Sequence, residues 1–153
     1  MSKSLKRVKA ALEGTSSIVL ETGEARTAQM AADELGVEVD QIAKSIILRG
    51  ETSGEAILFI TAGGNQVDAA KATALAGEPL GKADAALIRA QTGFAIGGVS
   101  PVGHLNPIRA YLDPRLAEFS LVWAAAGTPR HVFSVSPADL EHLSGATKVD
   151  FTS

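Results

Sequence analysis

The stretch KSIILRGETSGEAILFITAGG, residues 44–64, constrains this chain more than any other. Two apolar runs, 44–50 and 55–64, flank the turn-forming segment ETSG. Runs of this length and composition read as strands, and a short loop carrying Ser and Gly suits a hairpin. A hairpin makes the two strands antiparallel neighbours.

The rest of the pattern builds around that pair. Ser4 is placed to cap a first helix ending at Gly14, with Leu5, Val8 and Leu12 at helical spacing. SIVLE (17–21) reads as a short strand. TAQMAADELG (27–36) predicts a helix with Thr27 as N-cap, Met30, Ala31 and Leu35 on one face, and Gly36 as stop. VDQIA (39–43) adds a helical turn, and helices are expected over 65–77 and 82–93, the second closed by Gly93. Three β-like runs follow at 108–113, 120–127 and 130–136, with Trp123 and Phe133 expected in the core. Ser136 and Pro137 open a helix over 136–146, and KVDF (148–151) reads as a closing strand. Helices cluster instead of alternating strictly with strands. That favours an α+β fold with a mixed, mainly antiparallel sheet over a doubly wound parallel one.

Composition narrows the chemistry. The 153 residues suit one domain, 1–153, with a single sizeable core. There is no cysteine, which removes disulfides, thiolate metal sites and cysteine nucleophiles, and fits a cytoplasmic protein. The three histidines, His104, His131 and His142, have no helical ligand spacing, so no metal site is expected. The basic N-terminal stretch lacks the apolar run of a signal peptide or membrane span, and no membrane partner is expected. A net charge of −3 argues against gripping long stretches of nucleic acid, and DNA is not expected as a partner. Contact with one end of an RNA is compatible with it.

Familiar catalytic motifs are missing. AGEPLGKAD spaces its glycines wrongly for a phosphate-binding loop and has Ala83 where Ser or Thr is needed. No G-x-G-x-x-G or G-x-S-x-G occurs. TGFAIGGVSPVGH (92–104) is unusual in another way: five of its thirteen residues are Gly or Pro, and it is almost uncharged. Connecting loops are ordinarily polar. An apolar, glycine-rich loop instead suggests main chain that a ligand approaches closely.

TAQMAADELGVEVDQIAKSIIL (27–48) and TGFAIGGVSPVGH together resemble the signatures of the YbaK/ProX family, and the resemblance runs from about residue 15 to 151. These are free-standing relatives of the editing domain inserted in bacterial prolyl-tRNA synthetases. The resemblance implies a mixed, mainly antiparallel sheet or partial barrel flanked by helices, and a deacylase. That enzyme hydrolyses the ester joining a wrong amino acid to the 3′ end of a tRNA, including tRNA of the prolyl type, without a metal or organic cofactor. It implies the aminoacylated acceptor end as partner, and extends the expected partners to an aminoacyl-tRNA synthetase. Lys44 matches the family's key lysine, Gly97 and Gly98 its glycine pair, Thr27 the threonine opening the helix before the lysine, and His131, more loosely, a histidine before a β-run.

On this reading Lys44, Gly97, Gly98 and His131 are the catalytic candidates. Thr27, Ile46, Phe94, Ile96, Val99, Ser100 and Pro101 are the substrate-binding candidates, the apolar ones walling a pocket for an amino-acid side chain. His104 is a further candidate beside the loop. Alanine, cysteine, serine and threonine all stay open as the amino acid removed. The rival readings are a module that binds an aminoacyl or nucleotide end without turnover, and an interaction protein docked on a synthetase.

Overall fold

The computed structural model describes residues 2–153. Five α-helices and eight strands follow in the order α1 (Lys3–Ala11), β1 (Val19–Glu21), α2 (Ala28–Leu35), β2 (Ala43–Gly50), β3 (Ala56–Ala62), α3 (Ala69–Ala76), β4 (Leu80–Lys82), α4 (Ala85–Thr92), β5 (Arg109–Leu112), β6 (Val122–Ala125), β7 (His131–Val135), α5 (Pro137–Ser144) and β8 (Thr147–Lys148). Two 3-10 turns, Val39–Gln41 and Pro114–Glu118, separate α2 from β2 and β5 from β6.

The expected hairpin is the centre of the molecule. β2 and β3 pair antiparallel over seven residues, from Ala43 opposite Ala62 to Arg49 opposite Ala56. They sit inside a five-stranded sheet ordered β4-β2-β3-β5-β8, in which β3–β5 and β5–β8 are parallel. Every residue of β3 is buried. Its two faces serve two apolar clusters, Leu58, Ile60 and Ala62 on one side and Ile57 and Phe59 on the other. Burial on both faces explains why the run is continuously apolar instead of alternating.

A second, three-stranded antiparallel sheet, β1-β7-β6, packs over the first cluster together with α1. The two sheets meet through a single parallel bridge between Ile42 and Trp123. The sheet is mixed and mainly antiparallel as expected, but the strands do not close into a barrel.

Local signals and structure differ in a few places. Ser2, not Ser4, caps α1: its hydroxyl accepts from the Leu5 amide at 3.0 Å. α3 starts only after Asp68, because Val67 bridges to Thr152. Residues 80–82, expected at or before a helix start, instead pair with the end of β2. In each case a tertiary partner takes the backbone away from its local preference. The Thr27 cap, the Gly36 stop and the Ser136–Pro137 start fall where the sequence places them.

Candidate active site

β2 begins where the Val39–Gln41 turn ends, and Lys44 is its second residue, opposite Thr61. Its Nζ donates to the Gly63 carbonyl at 3.2 Å. Gly63 must be small, because a Cβ there would run into the Val39 carbonyl. Carboxylates stand behind the lysine. Asp40 accepts from the Gly64 amide at 2.8 Å and from Arg115 Nε at 2.9 Å. Asp113, buried, accepts from the Ala62 amide at 3.1 Å, Asn65 Nδ2 at 2.9 Å and the Arg115 amide at 2.9 Å. Burial pushes the Lys44 pKa below its ordinary value, and the charges of Asp40 and Asp113 pull it partly back.

Lys44 lines a cavity of about 370 Å³ between the first half of β2, α2, β6 and the start of β7. Six of the residues expected from the sequence meet there: Lys44, Ile46, Thr27, Gly97, Val99 and His131. Thr27 arrives as the cap of α2, its hydroxyl accepting from the Met30 amide at 3.1 Å. His131 opens β7. Its Nδ1 is 2.7 Å from the Thr128 hydroxyl, and its Nε2 is 3.7 Å from the Glu21 carboxylate.

The glycine loop reaches the cavity at Gly97 and Val99. Gly97 adopts φ of +94°, a left-handed conformation that favours glycine. The Gly98 amide donates to the Ala95 carbonyl at 3.1 Å, which closes a turn. A Cβ on Gly98 would lie 2.8–3.0 Å from the Thr128 backbone. Gly98 therefore lets the loop rest on the β6–β7 connection, and its amide is already used. The Gly97 and Val99 amides have no protein acceptor among the described residues, and both residues line the cavity.

Other expected site residues lie elsewhere. Phe94 is fully buried in the first cluster, with its ring edge-on to His104 at 5.2 Å and the Arg7 guanidinium 4.9 Å from its centre. Ile96 is exposed and outside the lining. Ser100 is buried, and its hydroxyl accepts from the Val102 amide at 3.1 Å. Pro101 is buried beside it. Phe94, Ser100 and Pro101 anchor the loop in the core instead of walling the cavity, and Ile96 faces solvent. His104 anchors it too: its Nε2 donates to the Ser100 carbonyl at 2.6 Å, and burial depresses its pKa.

Trp123, expected in the core, is only partly buried and lines the cavity. Thr22, Arg26 and Thr128 line it as well and had no signal in the sequence, since strand pairing and the turn before β7 bring them there. Among the described residues no three His, Asp or Glu side chains cluster as metal ligands. No helix among them is long and apolar enough to cross a membrane.

Lys44, Gly97, Val99 and His131 thus share one cavity. Comparison with known proteins agrees at the level of the family. The model of the aminoacyl-tRNA editing domain matches residues 22–143, and the chain belongs to that family. A Bacillus subtilis relative, the uncharacterized protein YwhH, is 34% identical over 118 residues, 77% of this chain and 74% of that protein. EbsC of Enterococcus faecalis, named as a candidate Cys-tRNA(Pro)/Cys-tRNA(Cys) deacylase, is 25% identical over 130 residues, 82% of this chain and 77% of its own. A crystal structure described as a candidate trans-editing enzyme for prolyl-tRNA synthetase superposes with a TM-score of 0.91 at 46% identity, covering 100% of this chain and 99% of that one.

Proposed function

We propose that the whole chain works as one cytoplasmic editing domain that hydrolyses the ester of a mischarged aminoacyl-tRNA, with tRNA of the prolyl type as the first substrate to test. The observation that carries this reading is the meeting of Lys44, Gly97 and Val99 on one cavity, the two loop residues having amides with no protein acceptor among the described residues. The names of EbsC and of the structural relative support the same chemistry.

An aminoacyl ester is already activated, so the protein needs to hold it, admit water and stabilise charge. In the reaction, water adds to the ester carbonyl carbon and negative charge collects on the carbonyl oxygen. Collapse breaks the bond to the ribose oxygen, which takes up a proton. The products are the free amino acid and a tRNA with its 3′-terminal hydroxyl restored. Loop amides aimed at the developing oxyanion are worth about 3–4 kcal/mol each. The Lys44 ammonium supplies positive charge to the same oxygen or to the terminal phosphate. His131, its Nδ1 taken by Thr128, presents Nε2 to the ribose or the attacking water. The ribose's neighbouring hydroxyl orients that water. Val99, Ile46 and the small residues of α2 limit the size of the side chain admitted.

The test is a panel of mischarged tRNAs carrying alanine, cysteine, serine or threonine, followed by release of amino acid. At least one ester should be cleaved, and Lys44→Ala should lower kcat by about 100-fold or more with the fold retained. Binding of the tRNA end without turnover of any ester would overturn the hydrolase in favour of a binding module. No step runs through a metal, so a chelator should leave the rate unchanged.

A further inference from the structure

The side chains lining the cavity include two cations, Lys44 and Arg26, and among the described residues no carboxylate. The carboxylates nearby are engaged elsewhere. Asp40 is tied to Arg115 and the Gly64 amide, and Asp113 to Ala62, Asn65 and the Arg115 amide. Glu34 accepts from the Gly23 amide at 2.8 Å outside the lining. Glu21 stands beyond His131, its side chain largely in solvent.

An aminoacyl ester carries its α-amino group two bonds from the carbonyl carbon that is attacked. As an ammonium, that group would enter a cavity whose lining charges are of its own sign, offset only in part by Asp40 and Asp113 behind Lys44. The burial that already depresses the Lys44 pKa would act on a second ammonium in the same way. The polar side chains left in the lining include the hydroxyls of Thr22, Thr27, Ser45 and Thr128. The Ser45 hydroxyl is buried and has no hydrogen-bond partner among the described residues. Such groups, with main-chain carbonyls, accept from a neutral amine and from a hydroxyl equally well.

We propose that this site does not read the α-ammonium and therefore also hydrolyses acyl-tRNA esters that lack it, the α-hydroxyacyl and N-acylaminoacyl esters. The inference rests on the deacylase reading and extends its substrate class. The chemistry is unchanged: water adds to the ester carbonyl, the bond to the ribose oxygen breaks, and an α-hydroxy acid or N-acylamino acid leaves.

The experiment compares alanyl-tRNA with lactyl-tRNA, its isosteric α-hydroxy counterpart made by nitrous acid deamination, or the equivalent pair for the ester cleaved best in the panel. N-acetylalanyl-tRNA is the third substrate. Each rate is divided by that ester's own spontaneous hydrolysis, because loss of the ammonium slows the uncatalysed reaction. The acceleration for the hydroxy ester should lie within about threefold of the amino ester, as expected for a site with no group dedicated to the charge. A fall of about tenfold or more, as would follow if the Trp123 ring face held the ammonium, overturns the inference and leaves the deacylase standing. Cleavage of neither ester of the pair overturns both. The N-acetyl ester adds the bulk test: its cleavage supports the inference for blocked amines, and its rejection beside a cleaved hydroxy ester confines the class to α-hydroxyacyl groups.

Discussion

Lys44 lies where burial and neighbouring carboxylates pull against each other. Its lowered pKa means that the folded protein releases this proton more readily than the unfolded chain does. The unfolded state then binds more protons between the lowered value and the ordinary 10.5. Stability contributed by this group therefore increases as pH rises through that window, and below it the buried charge is a standing cost. Selective labelling of lysine Cε should show Lys44 titrating below the bulk lysines, and a titration midpoint above them would contradict the account of its surroundings. The adjacent glycines of the loop separate in the same way. Gly97→Ala meets only open space near Pro129 but must hold a positive φ, a cost of about 1 kcal/mol. Gly98→Ala drives a methyl into the Thr128 main chain, so it should cost about 2 kcal/mol and displace the loop. Urea unfolding of the two variants, with deacylation measured alongside, should show the larger loss of both at residue 98.

At the scale of elements, one buried carboxylate connects three pieces of backbone behind the site. Asp113 ends β5, caps the Pro114–Glu118 turn and holds the last amide of β3. Asp113→Ala would leave the Ala62 amide buried without a partner and should destabilise the protein by about 3 kcal/mol in a denaturant titration. The Lys44 acceptor, Gly63, follows directly on Ala62, so activity should fall by more than the loss of folded protein explains. Legibility also follows the element. The caps Thr27, Ser136 and Pro137, and the glycine stops Gly36 and Gly93, act within a few residues of chain and were readable from spacing. β4 was not, because LGK forms a strand only where β2 offers it an edge. The short bridge at Val67 belongs to the same class, its partner lying at the far end of the chain.

For the whole molecule, the cavity lies where the two sheets meet, and both residues of the Ile42–Trp123 bridge line it. Its walls come from β2, α2, β6, the start of β7 and the glycine loop, which are far apart in sequence. The single tryptophan stands in that wall, so it reports occupancy directly. A non-hydrolysable aminoacyl-adenosine should change its fluorescence, saturably and in competition with charged tRNA. An unchanged emission at saturating ligand would place the aminoacyl group outside the cavity.

The family resemblance paired the lysine motif with the glycine loop, and residue spacing by itself determined the central hairpin, most helix ends and the mixed α+β class. Those features depend on short-range backbone preferences and on apolar periodicity, which are written locally. Only the tertiary structure decided which loop residues face the ligand. Phe94, Ser100 and Pro101 turned into the core, where they remove apolar surface or close local hydrogen bonds, and Trp123 turned out of it. The direction of a side chain in an irregular loop is set by what packs against it, and here that is α1 and the β6–β7 connection, both distant in the chain.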